Sequence, residues 1–229
     1  ARLSMAARLP ASAIVINRAF GVRSETLGAV AAEYRALGTQ RYFLHPAVSG
    51  EDPSAAAAQA GMVPARAWQK FERLPGAALP TQAAAVIRPV MPDTEAAGIA
   101  ARLVCAAFDL GSQAEPWLAR LGHDPRWAIF LAEIDGKPAG TGALFADSGI
   151  GWIDWDATDP ALRSRGVQGA LVAHRLRLAD ARGLTRVHTC TGLPVPGDPQ
   201  HSFHNILRSG FVATSARPNW QPRAEPQGI

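Results

Sequence analysis

The chain has 229 residues, 48% apolar and 18% charged, enough for one or two domains with a sizeable core. Its net charge of +4 is not gathered into a run, which suits an anionic ligand and argues against nucleic-acid binding. No 18-residue apolar span and no signal-like leader are present, so a cytoplasmic protein without membrane association is expected.

Residues 11–75 read as a smaller α/β unit. Ala13 to Ile16 suggests a strand, and Ser24 to Leu37 a helix closed by Gly38. Gln40 to Leu44 reads as a strand, Asp52-Pro53 as the start of an alanine-rich helix, and Ala65 to Phe71 as another strand. Leu74 to Gln82, with Pro75, Gly76 and Pro80, reads as a linker.

A main domain is expected over residues 83–221. Ala84 to Val90 reads as its first strand. A helix follows with Asp93 as N-cap, then a shorter one over Glu115 to Leu121. Trp127 to Ile134 and Ala139 to Ala146 are strands joined by Asp135-Gly136, a strong hairpin signal. Ile150 to Ala157 is a further strand, and from Gly169 a helical pattern runs to Arg182. Thr185 to Thr191 is a strand, Ser202 to Ser209 a helix, and a last strand leads to Trp220. Cys105 and Cys190 lie in apolar stretches and read as buried free thiols.

Between the strand ending near Ala157 and the next helix lies Arg163-Ser-Arg-Gly166-Val-Gln-Gly169-Ala170. A glycine loop feeding a helix N-terminus offers unpaired N–H groups and partial positive charge, and two arginines add fixed charge. A phosphate-bearing ligand is expected. The Gly-Lys-Ser/Thr end of a Walker loop and the Gly-x-Gly-x-x-Gly dinucleotide fingerprint are both missing. An ordinary strand–turn–helix remains open.

The loop resembles the acyl-CoA loop of the GNAT superfamily of N-acetyltransferases, Arg/Gln-x-x-Gly-x-Gly/Ala, with Gln168 where that family has its second small residue. Ser202-Phe-His-Asn-Ile-Leu-Arg-Ser-Gly-Phe211 and Arg217-Pro-Asn-Trp220 are similar to the end of such a domain. The resemblance spans roughly residues 85–220. It implies an α/β (α+β) GNAT fold, a mixed and mostly antiparallel sheet flanked by helices, open near Ala157. It implies acetyl-CoA as co-substrate, held by Ala157, Thr158, Arg163, Ser164, Arg165, Gly166, Val167, Gln168, Gly169, Ala170 and Asn205. The reaction implied is direct attack by a small primary amine in a ternary complex, by a monomer or homodimer. Asp154 and Asp156, sharing a strand face by the two-residue period, and Glu133 are the candidate bases. The family's tyrosine acid falls on Ile206, with Phe203, His204 and His201 nearby. That gap supports a second reading, a non-catalytic acyl-CoA-binding protein. His188, His201 and His204 are too loosely patterned to predict a metal.

A weak internal echo links the two parts: Ala-Leu-Gly38-Thr-Gln-Arg with Ala-Arg-Gly183-Leu-Thr-Arg, and Gln-Ala-Gly61-Met with Arg-Ser-Gly210-Phe. The N-terminal unit is expected to be a degenerate partial GNAT-like copy without a CoA loop, with an unrelated α/β cap as the alternative.

Overall fold

The computed structural model describes residues 1–48, 54–74, 76 and 85–223. The chain divides into two units, Ala1–Trp68 with Ala216–Ile229, and Gln69–Ser215.

In the first unit, β1 (Arg2–Ser4) pairs antiparallel with β2 (Arg18–Val22), and β2 pairs in parallel with β3 (Phe43–Pro46). The crossover is α1 (Ser24–Ala36), which buries Leu27, Val30 and Tyr34, a three-then-four spacing that makes one stripe. Then come α2 (Ser54–Gln59) and the start of β4 (Met62–Arg73). Tyr34 and Tyr42 stack at 3.9 Å, and the Tyr34 hydroxyl donates to the Ser4 carbonyl at 2.9 Å. Burial raises the pKa of both phenols, so they are structural hydroxyls. Ala13–Ile16 is a run of turns, not the expected strand, with Ala13 N–H donating to Pro10 and Ile16 N–H to Ala13. The strand forms at Arg18–Val22 instead, where β1 and β3 take its hydrogen bonds on both sides. Asp52-Pro53, Pro75, Pro80 and Ala84 lie outside the described residues.

The second unit opens with β5 (Val86–Val90), α3 (Glu95–Phe108), α4 (Glu115–Ala119), β6 (Trp127–Ile134) and β7 (Lys137–Asp147). It continues through β8 (Ile150–Thr158), α5 (Val167–Ala181), β9 (Arg186–Gly192), α6 (His201–Arg208) and β10 (Val212–Pro222). The N-cap of α3 is Thr94, whose hydroxyl accepts from Ala97 N–H. The expected cap, Asp93, instead holds His123 at 2.5 Å. Asp135 and Gly136 both take positive φ, 52° and 71°, as the tight β6–β7 turn requires. Strands β5, β6, β7 and β8 are antiparallel neighbours and β8–β9 is parallel. This mixed sheet with flanking helices has the element order that the resemblance implies.

The two units share a plan. Each has a parallel strand pair joined by a helix, β2–α1–β3 and β8–α5–β9. In each, the second of those strands is flanked by a long strand reaching in from elsewhere in the chain: β10 beside β3, with Trp220 opposite Leu44, and β4 beside β9. The turns into the helices differ. One residue, Arg23, separates β2 from α1, whereas residues 159–166 separate β8 from α5.

Small residues let α5 approach the sheet. A Cβ on Gly140 would lie 2.7 Å from the Ala157 carbonyl oxygen, and one on Gly142 would lie 2.7 Å from the guanidinium carbon of Arg175, which is fully buried. Gly142→Ala is therefore expected to destabilise the fold by roughly 1–3 kcal/mol, the usual cost of overpacking, read as a lower denaturant midpoint. The His174 ring packs at 4.6 Å against Phe130. Burial, with Arg177 and Arg175 nearby, lowers its pKa below the ordinary 6.5. The unfolded chain then binds the proton first, so this contribution is complete above about pH 6.5 and shrinks as pH falls below it. His174→Gln should flatten the loss of melting temperature between about pH 7 and pH 5.

Candidate functional site

The site is built on an irregularity in β8. Thr141 pairs with Ala157, and the next registered pair is Ala143 with Asp154. Two steps along β7 therefore match three along β8, which makes a β-bulge. Trp155 takes φ 57° there, a region that bulky residues avoid. The bulge resets the side-chain alternation. Ile153 joins the core with Val172 and Leu176 of α5, and Asp156 meets Arg175 of α5. Trp155 instead meets Phe108 of α3 and Trp117 of α4. Asp154 bonds Trp152 and Trp155: its carboxylate accepts from the Trp152 indole N–H at 3.1 Å and from the Trp155 backbone N–H at 2.8 Å. The expectation that Asp154 and Asp156 share a face fails because the inserted residue breaks the two-residue period.

Arg175 fastens the bulge. Its side chain is completely buried. Its Nε donates to the Leu171 carbonyl at 3.0 Å, and Nη1 donates to the Ala143 and Asp154 carbonyls at 3.0 and 3.3 Å. Nη1 and Nη2 both donate to the Asp156 carboxylate, Nη1 at 3.1 Å. The cation thus ties both edges of the irregularity, β7 and β8, to α5. Sequence reading missed it, yet a signal existed: Arg175 stands four residues after Leu171 and four before Ala179, on the buried stripe of the helix.

Beyond the bulge the sheet opens. β8 pairs with β9 through Ile150–Trp152 opposite Arg186–His188, and Thr189 Oγ1 donates to the Ile153 carbonyl at 3.0 Å. Among the described residues β8 then runs on to Thr158 in register with β7 alone, with Ala157 and Thr158 opposite Thr141 and Gly140. The chain turns through Pro160–Leu162 and reaches Gly166, which caps α5 at φ 77°. The helix begins at Val167, two residues before the expected Gly169. Val167, Gln168 and Gly169 therefore form its first turn, whose N–H groups have no intrahelical acceptor.

Around this N-terminus the structure gathers the expected loop. Arg163 and Ser164 are exposed, and Arg165 pairs with Asp135 at 3.1 Å. Nothing lies within 4 Å of where a Cβ on Gly169 would point, while Val167 and Ala170 are buried and anchor the helix. Asn205 of α6 donates to the Gln168 side chain at 2.5 Å, so both converge on the same turn. The arrangement is an open, cationic cradle that fits a diphosphate.

The remaining sequence candidates lie apart from it. Glu133 is ion-paired with Arg88 at 2.8 Å. It stands opposite Pro138, five residues along β7 from the partner of Asp154, or roughly 17 Å along the sheet. Ile206 is a buried core residue with Phe71 and Phe211, and Phe203 packs between Phe71 and His204. The Cys105 thiol is pushed up to about 11 by burial and by Glu115, which leaves it a thiol near neutrality. Among the described residues no three His, Cys, Asp or Glu stand together as a metal site, and no helix is long and apolar enough to cross a membrane.

Solved structures similar to this chain share its fold. A GCN5-related N-acetyltransferase from Kribbella flavida superposes with a TM-score of 0.66 at 16% identity, over 92% of this chain and 82% of that one. One from Sphaerobacter thermophilus gives 0.65 at 18% identity, over 87% and 68%. A tandem GNAT protein from the clavulanic acid biosynthesis pathway gives 0.58 at 17%, over 91% and 73%. At such identities the likeness is one of fold. No curated protein matches the chain. The model of the acetyltransferase (GNAT) family matches residues 90–207, just over half the chain, and the chain belongs to that family of acyltransferases.

Proposed function

We propose that the chain is an acetyl-CoA-dependent N-acetyltransferase acting on a primary amine of a small molecule, with both substrates held at once. The observation that carries this reading is the gap between β8 and β9 leading to the Gly166-capped N-terminus of α5. The N–H groups of Val167, Gln168 and Gly169, with Arg163 and Ser164, would hold the pyrophosphate of CoA. The exposed backbone edge at Ala157 and Thr158 would hold the pantetheine arm as an added strand. Asn205 would bond its amide. When bound, acetyl-CoA supplies the activated acetyl group.

The chain's own contribution is placement and proton handling. The amine nitrogen forms the new C–N bond as the thioester C–S bond breaks, and the CoA sulfur leaves as thiolate. Most of the gain comes from alignment of the two substrates. One amine proton must go to a base, because an ammonium has no lone pair to donate. Asp154 is the best placed carboxylate, since the bulge turns it away from α5 and two N–H donors fix its orientation. Asp156 serves Arg175, and Glu133 serves Arg88.

The reading of a CoA-binding protein without catalysis has one observation in its favour: the family's tyrosine position is a buried isoleucine. Thiolate departure needs no tyrosine, because a thiol with a pKa of about 8.5 takes its proton from water. Release of CoA thiol across an amine panel separates the two readings.

We also read the first unit as a degenerate partial GNAT copy that binds no CoA. The one-residue step from β2 to α1 leaves no room for a phosphate loop. Calorimetry should find one CoA site per chain, and Gly166→Val should weaken it at least tenfold with the fold intact, because φ 77° disfavours any β-branched residue. Asp154→Asn should lower turnover more than tenfold, about 1.4 kcal/mol of barrier, with CoA affinity unchanged. Asp156→Asn should instead destabilise the protein by about 3 kcal/mol, seen as a lower denaturant midpoint, by stranding the buried charge of Arg175.

A further inference from the structure

Trp155, Phe108 and Trp117 form a group that the transfer chemistry leaves unused. Phe108 ends α3 and Trp117 lies in α4. Both meet Trp155 edge-to-face, at 5.5 Å and 76° and at 5.9 Å and 81°. Trp117 is 46% exposed, and the other two rings are half-buried, so the group keeps open apolar surface. The Trp155 backbone is held at φ 57°, a conformation costing about 1–3 kcal/mol that persists only when its surroundings enforce it. Here they do: Asp154 accepts its N–H, and Arg175 fixes the carbonyl of Asp154. The strain aims a large flat ring toward α3 and α4 from the residue that follows Asp154, whose carboxylate accepts the Trp155 backbone N–H.

Rings set at right angles make walls for a flat or apolar body, and a carboxylate beside them attracts an ammonium. We propose that these three rings are the acceptor subsite, and that the acceptor is an arylalkylamine: a primary amine on a short chain carrying an aromatic ring. Its ring lies among Phe108, Trp117 and Trp155, and its nitrogen lies at Asp154, next to the β8–β9 gap. This rests on the acetyl-transfer reading and names its substrate class.

The test uses the full chain with saturating acetyl-CoA and compares phenethylamine and tryptamine with ethanolamine and glucosamine. CoA release is followed, and each amine is also titrated calorimetrically onto the protein–CoA complex. The aromatic amines should exceed the polar ones at least tenfold in kcat/KM. Trp117→Ala should raise KM for phenethylamine about tenfold, a change of about 1.4 kcal/mol. Trp117→Phe should restore most of it, and CoA affinity should be the same in all three proteins. Equal kcat/KM for both amine classes, or an unchanged KM in Trp117→Ala, overturns the subsite. Trp117-dependent binding of aromatic amines without CoA release keeps the subsite and removes the transfer reading. Release with polar amines while aromatic amines neither bind nor react does the reverse. A chain that binds neither CoA nor the aromatic amines refutes both.

Discussion

A buried cation governs this site. The Arg175 guanidinium is completely buried, and a buried cation is tolerated only when its donors find partners. Its partners are the Leu171, Ala143 and Asp154 carbonyls and the Asp156 carboxylate. Each constrains something else. The carbonyls fix the spacing of β7 and β8, and the carboxylate fixes the residue after the bulge. Gly142 must stay without a side chain to leave room. The bulge then sends Asp156 to one face of the sheet and Trp155 to the other, so one ion pair determines what both faces present.

The bulge and the gap beside it are linked. A bulge increases local twist and bends its strand, and β8 stops pairing with β9 at Trp152, just before the irregularity. A regular strand would have continued the parallel ladder and closed the sheet over the place where α5 begins. The price in lost pairing is met elsewhere, in part by Thr189 reaching the Ile153 carbonyl.

Local features were legible in the sequence; relations between distant strands were not. The Asp135-Gly136 hairpin, the arginine–glycine loop and the end of α5 at Gly183 depend on the conformational preferences of a few adjacent residues. The bulge depends on which residues of β7 stand opposite β8, and nothing in Trp152-Ile-Asp-Trp-Asp156 announces an extra residue. Arg175 was visible as a charge on an apolar stripe, but its meaning waits on a carboxylate 19 residues away. Ala13–Ile16 has strand-like composition, yet Arg18–Val22 became the strand because two neighbours were there to receive it.

The long strands carry one more consequence, which concerns time. Most residues of the first unit precede the second unit in the chain, yet its core takes in Trp220, and β3 pairs with β10 through that same residue. At about 5–20 residues per second, β3 emerges many seconds before its partner. During that interval one edge of β3 stands without its native neighbour, an exposed template for mispairing. The second unit has no such wait, because β4 precedes β9 and is already at hand when β9 arrives. Of the two units, the one whose strands come earlier in the chain completes its pairing later.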